Sequence, residues 1–156
     1  MALQRAIMSF KNPWLVFAGG LSFVASMLHV AVIIGGSDWY LFFGAGEKMA
    51  KMAAQGSLYP AVVTSGIAGA LFIWGLYALS GAGHVRPLPF LKLGLIFITA
   101  IYTLRGVLPF SAMLVLPELI TPFTIWSSLV CCVYALAYGV GTYIFVRQHA
   151  GTQECA

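Results

Sequence analysis

The sequence predicts an all-α integral membrane protein: a four-helix bundle running up-down-up-down, with a short interfacial amphipathic helix between its first and second helices. Three observations predict it. Hydrophobic residues make up 61% of the 156-residue chain and charged residues 8%, and a mean hydropathy of +0.95 lies far above that of water-soluble domains. Four apolar runs, 14–34, 59–79, 90–108 and 123–146, approach or exceed the roughly 20 residues a helix needs to cross a hydrocarbon core about 30 Å thick. Aromatic residues that favour the headgroup level (Trp14, Trp39, Tyr40, Tyr59, Trp126 and Tyr143) sit near the ends of these runs. Lipid offers the backbone no partner, so each run must close its hydrogen bonds as a helix. A chain of this length is expected to form one domain over residues 1–156.

The first run follows Arg5 and Lys11, as the core of a secretory signal would. It exceeds the about 15 apolar residues of such a core and no small-residue cleavage site follows, so it is read as the first membrane helix. Gly19, Ser22, Ser26 and His29 recur along it at intervals of three and four, one stripe of small and polar side chains expected to face other helices. His29 falls in the outer third of the membrane at about 1.5 Å per residue. An ionisable group at that depth marks a functional site, or else serves as a neutral hydrogen-bonding strut between helices.

The connector 35–58 is too long and too apolar for a plain loop. Asp38-Trp39-Tyr40-Leu41-Phe42-Phe43 reads as an aromatic wedge, Gly44-Ala45-Gly46 as a flexible break, and Glu47-Lys48-Met49-Ala50-Lys51-Met52 as an amphipathic helix in the outer interface, about 38–56 in all. Its stretch from Trp39 and Tyr40 through Phe42-Phe43-Gly44-Ala45-Gly46 to Glu47 resembles small bacterial membrane proteins, a likeness that implies no activity. Glu47 also stands four residues before Lys51, the spacing of a solvated helix-surface pair.

In the second run Ser65, Gly69 and the Gly66-xxx-Ala70 pair predict close helix packing. The segment 80–89, with Gly81, Gly83, Pro87 and Pro89, predicts a tight turn in which His84 is solvated. The third run carries Arg105 one turn before Pro109, on the face of Tyr102. Its guanidinium cannot discharge by losing a proton. It either snorkels to headgroups, pairs with an acid, or binds an anionic or carbonyl-bearing ligand. The second outer connector, 109–122, has Pro117-Glu118 at its centre. The fourth run places Ser127, Cys131, Tyr134, Tyr138 and Gly141 on one face and Ser128, Cys132, Ala135, Gly139 and Thr142 on the next; Tyr134 and Tyr138 serve core packing or line a cavity for a flat or lipidic ligand.

Counting Lys and Arg orients the bundle. With both termini cytoplasmic, Arg5, Lys11, Arg86, Lys92 and Arg147 lie inside and Lys48, Lys51 and Arg105 outside, which predicts a multi-pass protein of a bacterial inner membrane. The net charge of +4 does not point to nucleic acid, because the basic residues are scattered rather than gathered on one face. Cys131 and Cys132 are adjacent, Cys155 lies apart and no CxxC exists, so neither a disulfide nor a metal centre is expected. No nucleophile elbow, phosphate loop or paired-histidine metal motif is present.

Three four-helix membrane families are set aside on their residues. Small multidrug transporters need an acid in helix one, eicosanoid and glutathione enzymes need a Glu, Arg and Asn pattern in helix two, and quinone-coupled disulfide oxidases need paired outer cysteines. The expected site is a polar pocket at the outer end of the bundle. His29 and Arg105 anchor it, the acids Asp38, Glu47 and Glu118 fold over from the outer loops, and Tyr102, Tyr134 and Tyr138 lie on its walls. The function this predicts is binding, and by extension translocation, of a small or lipid-like molecule. Two alternatives stand beside it: an accessory or immunity-type subunit acting through protein contacts, as a homo-oligomer or within a larger membrane assembly, and an enzyme acting on lipid or quinone with His29 as acid or base.

Overall fold

The computed structural model describes residues 12–115 and 121–153, with side chains over 12–112 and 121–149. The helices among them are α1 (Pro13–Phe42), α2 (Glu47–Ala54), α3 (Tyr59–Gly81), α4 (Leu91–Val115) and α5 (Pro122–Gln153). All but α2 are long and apolar enough to cross a membrane, α4 as far as Ala112 and α5 as far as His149. The protein is therefore a multi-pass, four-helix membrane bundle in contact with membrane lipids. Glu118 falls outside the described residues.

Asn12 starts α1 and fixes it to the far end of the chain. Pro13 occupies the first helical position, where its missing N–H costs nothing. The Asn12 side-chain oxygen accepts from the Leu15 N–H at 3.4 Å, while its Nδ2 donates to the Gly141 carbonyl of α5 at 2.8 Å. The residue is buried, so both ends of the amide are used. Asn12→Ala is expected to destabilise the bundle by about 1–2 kcal/mol, the loss of a cap together with a stranded carbonyl. An unchanged midpoint of thermal unfolding in detergent would refute this role.

At about 1.5 Å per residue, the stretch 13–35 already spans about 34 Å, enough to cross the hydrocarbon core. At Gly36 the backbone leaves helical geometry, with φ 69° and ψ −151°, a conformation open essentially to glycine alone. The wedge 37–42 therefore departs as a separate helical turn. Gly44 and Gly46, at φ 69° and 92°, complete the reversal into α2. A small second core forms here from Val32, Tyr40 and Ala50, backed by Phe43 and Ala53. Tyr40, expected at the interface, is thus the residue of the wedge that is buried, against Val32 and Ala50. Glu47 pairs with Lys51 at 3.7 Å with both side chains solvent-exposed, so the pair adds little stability.

The four long helices form a ring in chain order, with α1 beside α3 and α5, and α4 beside α5 and α3. The closest seams are α1–α3 and α4–α5. Small residues make both. A Cβ on Gly19 would stand 3.3 Å from the Gly75 carbonyl oxygen, and one on Gly106 would stand 2.8 Å from Cys132 Sγ. The expected stripe on α1 does face its neighbours: beyond Gly19, Ser22 meets Tyr138 at 2.7 Å and Ser26 donates to the Ala68 carbonyl at 2.8 Å. The small residues predicted to pack α3 do not. Ser65, Gly66 and Gly69 are exposed, and among the described residues nothing lies within 4 Å of a Cβ built on either glycine.

The main core runs from Leu15, Ala82 and Phe145 up to Tyr102 and Tyr134. It fills the half of the bundle that carries the α3–α4 turn, called here the turn end. That turn is organised by buried Ser80, whose hydroxyl donates to the Arg86 carbonyl and accepts from the Leu88 N–H, both at 3.0 Å. At the opposite, cap end, Gly44 lies against the ring of Phe123 at the start of α5, so the α1–α2 connection reaches across to the last helix.

Candidate functional site

Halfway through the bundle the apolar core gives way to a layer of hydroxyl groups. Tyr138 is fully buried and donates to the Trp74 carbonyl at 3.0 Å. Its single proton is then committed, so Ser22 must be the donor in the 2.7 Å contact between the two hydroxyls. Tyr134 donates to the Leu21 carbonyl at 2.6 Å. These bonds join α1, α3 and α5 at one depth, where hydrocarbon offers no substitute partner. The fourth helix enters through Tyr102, whose ring stacks on Tyr138 (centroids 5.5 Å, 23°), lies 4.7 Å from Tyr134, and meets Trp74 edge-on at 5.3 Å. Its hydroxyl is buried and approaches Ser22, but it meets no hydrogen-bond partner of good geometry among the described residues. Tyr102, Tyr134 and Tyr138, chosen from sequence as site residues, are therefore assembled into a single cluster. Ser22 and Trp74 belong to the same cluster. The polar stripe on α1 was the sequence signal for Ser22, whereas Trp74 in an apolar run gave none.

Toward the cap end stand Arg105, one turn beyond Tyr102, and His29, two turns beyond Ser22. His29 is half-buried on the face that carries Ser22 and Ser26. Its Nδ1 lies 2.7 Å from the Ala25 carbonyl of its own helix, and because a carbonyl only accepts, Nδ1 carries the proton. In the neutral ring Nε2 is then a free acceptor directed away from the helix backbone. Arg105 is exposed on α4, one turn beyond Tyr102, and close enough to Cys131 of α5 to interact electrostatically with its thiol. Among the described residues no carboxylate lies within 4 Å of its guanidinium; the ion pair present is Lys51 with Glu47.

Pro109 has no N–H, so the helix leaves the Arg105 carbonyl without its usual bond four residues on. Arg105 thus presents a charged side chain and a freed backbone acceptor at one level. The structure places Asp38 on the exposed wedge, where it lines a shallow depression with Trp39, Phe42 and Phe43. Among the described residues no hydrogen bond or ion pair links Asp38 or Glu47 to His29 or Arg105.

Cys131 and Cys132 are free thiols, and no group of three metal-ligating side chains occurs among the described residues. No family model, curated protein or solved structure matches the chain.

Proposed function

We propose that the protein binds a small, lipid-like molecule at the cap end of its bundle, with His29 and Arg105 as polar anchors above the tyrosine layer. One observation carries this reading. The continuous core stops at Tyr102 and Tyr134, and beyond it stand the half-buried His29, whose neutral ring offers an acceptor nitrogen, and the exposed Arg105, a permanent cation with no carboxylate partner among the described residues. Polar groups at this depth in an apolar bundle are retained when they serve a ligand or a path. Asp38, Glu47 and Glu118 belong to the connectors over the same end, and the contact of Gly44 with Phe123 supports those connectors forming its roof. On the count of basic residues, the cap end is the outer one and the termini are cytoplasmic, in a bacterial inner membrane.

The test is native mass spectrometry of the protein extracted in mild detergent, comparing the natural chain with a His29→Ala, Arg105→Ala double variant. A bound molecule of lipid-like mass is expected on the natural chain and absent from the variant. Equal retention by a normally helical variant would sink the proposal.

A second reading, an accessory subunit docked on a larger membrane partner or on its own copies, is favoured by a different observation. Gly20 on α1 and Gly69 on α3 face outward with nothing within 4 Å of a built Cβ, whereas the protein's own seams have no need of them. A stoichiometric protein adduct in the same spectra, unaffected by the double variant, would select this reading.

A further inference from the structure

We infer that the cap half of the α3–α4 seam is a lateral groove that admits an acyl-chain amphiphile with an anionic head group, held at Arg105. This rests on the proposed reading of the cap end as a ligand site, and names the ligand's chemical class and its route of entry.

On α3, Gly66, Ala70, Trp74 and Tyr77 follow at spacings of four, four and three residues and so form one stripe. Its turn-end half is covered by α4. The Tyr77 ring lies against Gly94, its hydroxyl donates to the Pro89 carbonyl at 3.2 Å, and Trp74 meets Tyr102. Past Trp74 the stripe is bare. Ala70 is half-exposed, Ile67 beside it is 45% exposed, and among the described residues no side chain or neighbouring helix comes within 4 Å of a Cβ built on Gly66. On α4 the stripe that covers the lower half continues from Gly94 through Ile98 and Tyr102 to Arg105. Since the two helices run antiparallel, Arg105 lies level with the bare half. Among the described residues the seam is closed as far as the Trp74–Tyr102 floor and open beyond it.

The chemistry of the opening selects its occupant. Arg105 stands about 21 Å along α4 from Leu91, inside a hydrocarbon layer about 30 Å thick. A guanidinium there keeps its charge and five donors, so it favours an acceptor of opposite charge, and carboxylate or phosphate accepts two parallel N–H bonds from it. Glycine and alanine opposite carry no side chain longer than a methyl, and the apolar Ile67 and Val63 neighbour them. A cationic amphiphile meets repulsion at Arg105, and an uncharged alcohol forgoes the charge-assisted bond.

Dodecanoate, dodecyl phosphate, dodecanol and dodecyltrimethylammonium, titrated into the full chain in maltoside micelles and read as adducts by native mass spectrometry, test the assignment. The two anions are expected to bind one to one and about tenfold tighter than the alcohol, with the ammonium weakest. Their ranking against each other separates a carboxylate from a phosphate head. Arg105→Gln is expected to remove the preference and Arg105→Lys to restore part of it. Gly66→Leu, built into open space and so harmless to the fold, is expected to block every probe. The groove is overturned if the head-group preference survives Arg105→Gln, if Gly66→Leu binds as the natural chain does, or if the anions bind only after Glu118→Gln. Binding that survives Gly66→Leu but is lost in His29→Ala overturns the groove while leaving the proposed function standing. The absence of any adduct from all four probes overturns both.

Discussion

Gly141→Leu is expected to destabilise the bundle by about 3 kcal/mol, the upper range for forcing atoms into a packed interior. The Cβ position of Gly141 lies 2.7 Å from both Cγ and Cδ2 of Leu15 and 3.2 Å from its backbone nitrogen. Leu15 is wholly buried and so cannot swing aside. Relief requires the first turn of α1 to move off α5, and that movement also breaks the Asn12 bond to the Gly141 carbonyl. Thermal unfolding in detergent, followed by helical circular dichroism, measures the loss. Gly20→Leu is the matched control, since no neighbour among the described residues stands within 4 Å of that position, and it should leave the midpoint in place. Equal behaviour of the two variants would show that α1 and α5 do not meet as described.

The second large effect is expected at Gly44, where two costs coincide. Its φ of 69° places a β-branched side chain in the left-handed region, at about 1–2 kcal/mol, and the new Cβ would overlap the Phe123 ring. Gly44→Val should therefore cost about 3 kcal/mol locally, with the ring displaced from the cap. Because Phe123 is partly exposed and sits at the very start of α5, the damage should stay local. Amide exchange over 37–56 is expected to accelerate while that of the helices around the tyrosine layer is unchanged. Uniform acceleration throughout the bundle would instead mean that the cap and the core unfold together. Under the proposed function, the same variant should also lower retention of a lipid-like molecule at the cap end.

Both predictions turn on glycines that look alike in the sequence. Gly19 and Gly20 are neighbours, yet one lies against the Gly75 carbonyl and the other faces open space. Gly66 and Gly69 fit the small-residue pattern of close helix contact and make none within this chain. A pattern of small residues states that backbones can approach; it does not state which helix is there to do so.

The sequence alone determined what depends on the solvent and on local period. Lipid forces each apolar run to be a helix, so four spans follow from length and hydropathy. The stripe of Gly19, Ser22 and Ser26 follows from a repeat of three to four residues, because side chains in hydrocarbon must direct their polar atoms at other helices. Tyr102, Tyr134 and Tyr138 could be picked out as polar rings in an apolar setting. Only the tertiary structure decided how they are used. Ser22, Tyr138 and Trp74 lie on three helices, and their shared hydrogen bonds depend on relative heights that no single-helix pattern encodes. The break at Gly36 arises from one backbone conformation, the burial of Tyr40 from packing against Val32 and Ala50, and the reach of Gly44 to Phe123 from a contact between residues about 80 apart in the chain. The bilayer dictates the elements through one-dimensional statistics of the chain, whereas the seams between them, closed around the tyrosine layer and open beside Arg105, are set by side-chain shapes meeting in three dimensions.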